Sequence, residues 1–209
     1  LRPRDQWRLL GTALPRIDTV AKSTGTAQFG IDTRLPGMKF AALRRAPNRG
    51  GMVSFRDREA LKRPGVDRVV DVGDGYAVIA SNTWLAMQAL DAVEVEWGDP
   101  GAYPADTDAM MQAIEAGFDT EPNSTMRDDG DAETLPGGAT EVTAEYRVPF
   151  LSHATMEPMN ATVLIDGDGV KVWCGNQAPT FIRDHCAEEA GVSPDMVEVN
   201  TTLLGGGFG

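Results

Sequence analysis

Residues 119–138, DTEPNSTMRDDGDAETLPGG, constrain this chain more than any other stretch. They contain almost no apolar residues, so they cannot bury enough surface to offset the entropy of ordering. Twenty such residues are also too long for an ordinary connection inside one core. The chain is therefore expected to divide here, with ordered structure before and after.

The stretch ahead of this break mixes short apolar runs with helical spacing. Gly11, Pro15, Gly25, Gly30 and Pro36 punctuate an opening that reads as an extended lead-in. Strands are expected at Met38–Leu43, Val66–Val72, Tyr76–Ala80 and Val93–Trp97, the third buried because every residue in it is apolar. A short polar helix is expected over Arg56–Arg63, ended by Pro64-Gly65. A second should start at Asn82, whose side chain suits a cap, with Leu85, Ala86, Ala89, Leu90 and Val93 on its apolar face. Ala105–Phe118 reads as a third helix.

Beyond the break, Thr140–Val148 alternates polar and apolar residues and reads as a strand. Met159–Ile165 and Val170–Cys174 flank Gly167-Asp168-Gly169, the pattern of a hairpin. Pro179 suits the first turn of a helix that Gly191 ends, with Ile182, Cys186 and Ala190 facing inward. Met196–Leu203 is the last strand. The fold class is α+β. The expected divisions are 1–24, an extended lead-in; 25–104, a compact unit; 105–139, a helix and acidic linker; and 140–209, a second unit.

Charge narrows the function. Across 209 residues, 19 Lys and Arg face 31 Asp and Glu, a net charge of −12. That argues against a general nucleic-acid binder, which needs basic charge to displace counterions. Residues 1–70 carry 15 basic and 6 acidic side chains, and residues 71–209 carry 4 and 25. The asymmetry reads either as an interaction face or as opposite surfaces attracting within one fold. No run of 18 apolar residues is present, so no membrane-spanning helix is expected. The opening Leu1-Arg2-Pro3-Arg4-Asp5 has no apolar stretch behind it and does not read as a signal peptide. Leu1 in place of Met suggests a piece of a longer chain, which leaves the compartment open between cytoplasm and periplasm.

Three places are candidates for chemistry. Gly205-Gly206-Gly207-Phe208-Gly209 follows a strand and can bring backbone N–H groups close to one anionic or oxo acceptor. It can equally be a tight turn. Gly175-Asn176-Gln177-Ala178-Pro179 lies at a strand-to-helix junction, where unpaired donors collect, and Gln177 adds a neutral amide. Gln177 can also be a cap or a surface residue. His153 and Glu157 are four apart, as in an acid–base or metal pair, but Pro158 disfavours a helix there and a structural pair is the simpler reading. Cys174 and Cys186, twelve apart with no CxxC, make a poor metal site and read by default as two buried thiols, with a disulfide the alternative.

Taken in order, these features resemble one family. Tyr146, Val148 and Pro149, then Thr155, Glu157 and Pro158, then Val172-Trp173 with Gln177 and Pro179, then Leu203–Gly209 resemble the molybdenum-binding subunit of the molybdenum hydroxylases. These bacterial and other oxidoreductases include xanthine dehydrogenases, aldehyde oxidases and isoquinoline 1-oxidoreductases. Gly11-Thr12-Ala13, Pro15-Arg16, Asp18, Lys22, Gly25, Ala27, Phe29 and Ile31-Asp32 resemble the entry to the a/b hammerhead domain of that family. His153–Asn160 favours the isoquinoline 1-oxidoreductase beta-subunit branch.

The resemblance implies that 25–104 is hammerhead-like and that 140–209 begins a molybdopterin-binding domain. It implies a molybdopterin cofactor in its cytosine dinucleotide form, with the metal held by the pterin and not by side chains. Gln177 would hydrogen-bond an oxygen on the metal, and Gly206, Gly207, Phe208 and Gly209 would set N–H groups along the cofactor. The implied reaction hydroxylates N-heterocycles or oxidises aldehydes with water as the oxygen source. The implied partner is a small iron–sulfur subunit with two 2Fe-2S clusters. The family's general base, a glutamate, would lie beyond residue 209, so no catalytic or metal-ligating residue is assigned here. The fragment is expected to hold no cofactor stably, to be inactive, and to self-associate through its last strand. The alternative is a non-catalytic α/β binding or assembly module with an anion-holding Gly-rich turn.

Overall fold

The structure, a computed structural model, describes residues 1–47, 50–99, 106–131, 134–167 and 169–207. In chain order its elements are helix α1 (Thr19–Thr24), strands β1 (Phe40–Arg45) and β2 (Met52–Arg56), the one-turn helix α2 (Arg58–Leu61), strands β3 (Val66–Asp71) and β4 (Gly75–Ala80), and helix α3 (Thr83–Leu90). Strand β5 (Glu94–Trp97), helix α4 (Thr107–Gly117), strands β6 (Ala161–Asp166) and β7 (Gly169–Cys174), helix α5 (Pro179–Ala190) and strand β8 (Val197–Thr201) follow. They fall into two compact units, one of residues 37–151 and one that joins 1–36 to 152–209.

In the 37–151 unit, the all-apolar run becomes the central strand of an antiparallel sheet ordered β1-β4-β3. Tyr76, Val78 and Ala80 are fully buried under Ala86, Ala89 and Leu90 of α3 and Ala60 of α2. Burying side chains of the size of Val78 contributes roughly 1.5–3 kcal/mol each. Asn82 caps α3, its Oδ1 accepting from Leu85 N at 2.9 Å. The strand at Glu94–Trp97 pairs with Met52–Arg56, a partner not read from the sequence. This pair brings Phe55 and Trp97 against Tyr76, with ring centroids 6.0 and 6.2 Å from it. The Tyr76 hydroxyl donates to Leu90 O at 3.1 Å, which satisfies its one buried polar atom.

The basic run in this unit is matched by acids further along the chain. Arg44 pairs with Asp91, Arg45 with Asp74, Lys39 with Asp67 and Arg56 with Glu94. All are solvent-accessible, and each adds little to stability. They do show the charge asymmetry attracting within one unit.

The alternating segment Thr140–Val148 forms no strand. Val142, Tyr146 and Val148 are 77–87% exposed. Alternation prepares a face, but a strand persists only with a neighbour for its ladder, and no described strand pairs with it. The described residues between α4 and β6 contain no regular element.

In the other unit the hairpin forms as expected, with Asp166 opposite Gly169 and Gly167 at φ 61°. Asp168 lies outside the described residues. From β7 the chain crosses through α5 to β8, which lies parallel to β7, giving the order β6-β7-β8. Val170, Val172, Cys174, Ala187 and Val197 form the core, with Ile182 and Cys186 partly buried beside them. Ala187 thus holds the inward place expected of Ala190, which is exposed in the last turn before the Gly191 cap. Both thiols are free, and burial, with Cys174 nearby, pushes the Cys186 thiol up. The opening stretch is not wholly extended, since it includes α1, capped at Gly25 by a left-handed turn.

Candidate functional site

Strands β7 and β8 are parallel and end level, Cys174 opposite Thr201. Two loops therefore leave the same edge of the sheet, 175–178 leading into α5 and 202–207 carrying the glycines. Such carboxyl ends, beside a helix N-terminus, are where open α/β sheets collect ligands.

Polar bonds and one leucine hold the loops side by side. Thr202 N donates to Cys174 O at 3.1 Å. Asn176 Nδ2 donates to Cys174 O and Thr201 Oγ1, and its Oδ1 accepts from Ala178 N at 3.1 Å. Asn176 thus orders the loop ahead of α5, whose N-cap, Ala178, has no side-chain cap bond. Gln177 is exposed, and its side chain makes no hydrogen bond among the described residues. Leu204 packs against both Gly175 and Gly207, so closely that a Cβ at either glycine would collide with it. Gly206 sits at φ 105°, a conformation open essentially to glycine alone.

Glu157 anchors this arrangement. Its carboxylate accepts from Gly205 N at 2.7 Å, Asn160 Nδ2 at 2.9 Å and Ile31 N at 3.0 Å. Its own N–H donates to Gly205 O at 3.1 Å. Burial alone would push this carboxyl up. Hydrogen bonds from Asn160 and from the Ile31, Gly205 and Gly30 backbone outweigh burial and hold it below the usual carboxylate range. The sequence suggested His153 as its partner; the donors that hold the carboxylate are these amides. Ala154, just before it, has φ 44°, a left-handed turn in a non-glycine residue.

The N-terminal segment also contributes. Phe29 and Leu203 form a parallel bridge, and Asp32 caps the adjoining turn by accepting from Phe29 N at 3.0 Å. A groove of about 860 Å³ is lined by Gln28, Phe29, Arg34, Trp173, Thr202 and Leu203. Sequence reasoning missed this use of residues 28–34 and of Asn176. Gly30 was the available signal, since a Cβ there would come within 2.7 Å of Asn160 Oδ1 and 3.1 Å of Thr202 Oγ1.

Of the five expected site residues, Gln177, Gly206 and Gly207 are on neighbouring loops, and Phe208 and Gly209 lie outside the described residues. The donor set suits an anionic group. It consists of neutral backbone and amide N–H groups, and the nearest carboxylate already has its donors. Thr202 Oγ1 is buried there with no hydrogen-bond partner among the described residues. No cluster of three or more His, Cys, Asp or Glu able to hold an ion occurs among the described residues.

Residues 118–209 match the molybdopterin cofactor-binding domain. The chain is a partial-length relative of the molybdenum-hydroxylase large subunits. It is 32% identical to the membrane-bound aldehyde dehydrogenase (pyrroloquinoline-quinone) of Gluconacetobacter polyoxogenes, over all of this chain and 29% of that protein. It is 28% identical to the isoquinoline 1-oxidoreductase subunit beta of Brevundimonas diminuta, over all of this chain and 28% of that protein. The chain thus spans less than a third of the length of these two relatives. In fold it is similar to quinoline 2-oxidoreductase from Pseudomonas putida 86, with a TM-score of 0.67 at 22% identity, covering 95% of this chain and 31% of that one.

Proposed function

We propose that this chain is part of the molybdopterin-binding subunit of an oxidoreductase that hydroxylates N-heterocycles or oxidises aldehydes, with water as the oxygen source. One observation carries the reading. The exposed neutral amide of Gln177 and the Gly206–Gly207 turn lie on adjacent loops within the stretch that matches the cofactor-binding domain.

In this reading Gln177 donates its amide to an oxygen on the metal. Gly206 and Gly207, with Phe208 and Gly209 expected to follow suit, would hold the cofactor, in its cytosine dinucleotide form, by backbone N–H groups. When bound, molybdopterin supplies the redox centre that accepts electrons from the substrate carbon. The chain's own part is to bind and orient. Neutral donors on a constrained turn stabilise negative charge without offering it a proton. Residues 25–104 correspond to the a/b hammerhead domain after a lead-in of 1–24, with 105–139 a helix and acidic linker and 140–209 the start of the cofactor domain. The partner in this reading would be a small iron–sulfur subunit with two 2Fe-2S clusters.

Glu157 is not the base. A carboxylate ionised below its usual range and held by several donors has little tendency to take a proton. No general base is assigned within these residues, so the chain alone should be silent. The test has two arms. The purified chain is expected to contain no stoichiometric molybdenum and to turn over neither aldehydes nor N-heterocycles. In the full subunit, Gln177→Ala should lower turnover by about 10²-fold, as expected for loss of one preorganised donor. One molybdenum per isolated chain, or a Gln177→Ala subunit with unchanged turnover, would overturn the reading.

A further inference from the structure

Glu157 holds the Gly-rich turn in a way that its position in the chain does not suggest. It lies 48 residues from Gly205, yet it engages both polar groups of that residue, N–H to Oε2 and C=O to its own N–H. Gly205 is therefore not available to a ligand. The turn reverses at Gly206 immediately after this fixed point, and Gly207 is set against Leu204. The direction in which the Gly206 and Gly207 amides point is decided by where Gly205 is held.

The other oxygen, Oε1, accepts from Ile31 N and from Asn160 Nδ2. Both oxygens act as acceptors, which an ionised carboxylate can do and a glutamine cannot. In glutamine one oxygen becomes an NH₂ group that would face an N–H donor. All the donors are neutral, so the charge they share is undiluted by a cation.

We propose that Glu157 is a positioning residue, whose carboxylate fixes Gly205 and so orients the Gly206 and Gly207 amides toward the cofactor. This rests on the cofactor reading above and extends it to a residue that meets no ligand.

Glu157→Gln, in the uniformly ¹⁵N-labelled chain, is the test. The Gly205 amide is expected to exchange about tenfold faster, because its bond to a charged acceptor is lost. The Gly206 and Gly207 amide resonances should move, while those of Val170 and Val172 hold. In the wild-type chain the Gly205 and Ile31 amide protons should shift together as Glu157 titrates. Asp32 is the other acid in the adjoining turn, and Asp32→Asn separates its contribution. In the full subunit, Glu157→Gln should lower bound molybdenum several-fold.

Unmoved Gly206 and Gly207 resonances in Glu157→Gln would overturn the positioning role and leave the cofactor reading standing. Resonances that move while bound molybdenum is unchanged would overturn the link to the cofactor. Gln177→Ala tests the cofactor reading without touching Glu157. If Glu157→Gln does not fold, the wild-type titration decides, and a Gly205 amide proton that ignores the carboxylate overturns the proposal.

Discussion

Glu157 and Gly205 are bonded twice, once through the carboxylate and once through the backbone, although 48 residues separate them. The clamp joins the loop before β6 to the turn after β8. With the Ile31 bond, three distant stretches of one unit meet at a single carboxylate.

Acid should loosen this clamp. The Glu157 carboxyl is held below its ordinary range, so its stabilisation is fully present above about pH 4.3 and is lost as pH falls through the lower folded value. Urea midpoints at several pH values should fall more steeply toward pH 3 in the wild type than in Glu157→Gln. At neutral pH the variant should be less stable by about 1–3 kcal/mol, from amides left without a charged acceptor. Parallel curves for the two proteins would refute the assignment.

Gly205→Ala should open the same clamp from the other side. A Cβ there would collide with the Cβ of Glu157 and lie 3.1 Å from its Oε2. The expected cost is about 1–3 kcal/mol, typical of overpacking. A double variant with Glu157→Gly, which removes the clashing Cβ, should recover part of it, and strict additivity in denaturation would count against the contact.

Tyr76→Phe reports on the other unit. The ring keeps its contacts with Phe55 and Trp97, but Leu90 O loses one of its two donors. A loss of about 0.5–1.5 kcal/mol is expected, the net contribution of one hydrogen bond whose acceptor keeps a second donor, Val93 N at 3.3 Å. An unchanged denaturation midpoint would show that the hydroxyl contributes nothing.

Trypsin should cut first after Arg127. This arginine is exposed and lies in a stretch with no regular element, where cleavage needs no unfolding of a core. Initial cleavage within β4 or β7, read by mass spectrometry, would contradict the description of this segment.

Self-association is expected through the last strand. Leu203 and Leu204 are 39% and 40% exposed, and β8 has no described strand on its outer side. Light scattering should show a dimer or larger species that Leu203→Lys returns to a monomer. A clean monomer at high concentration would sink this expectation.

The apolar run Tyr76–Ala80, the Asn82 cap, the hairpin around Gly167 and the Pro179-to-Gly191 helix were all legible in the sequence. Each is set by neighbours within a few residues: φ freedom at glycine, a side chain reaching its own backbone, or the spacing of apolar residues. Local signals stopped where pairing is non-local. The strand Met52–Arg56 exists because β5 accepts it, whereas Thr140–Val148, with the better alternation, has no described partner, forms no strand and stays exposed. Gln177 and the glycines were visible as candidate donors because their chemistry lies in the residues themselves. Glu157 was visible only as an acid near a histidine. Its role depends on bringing Ile31, Asn160 and Gly205 within 3.0 Å of one carboxylate, which spacing along a chain cannot express and only the tertiary fold decides.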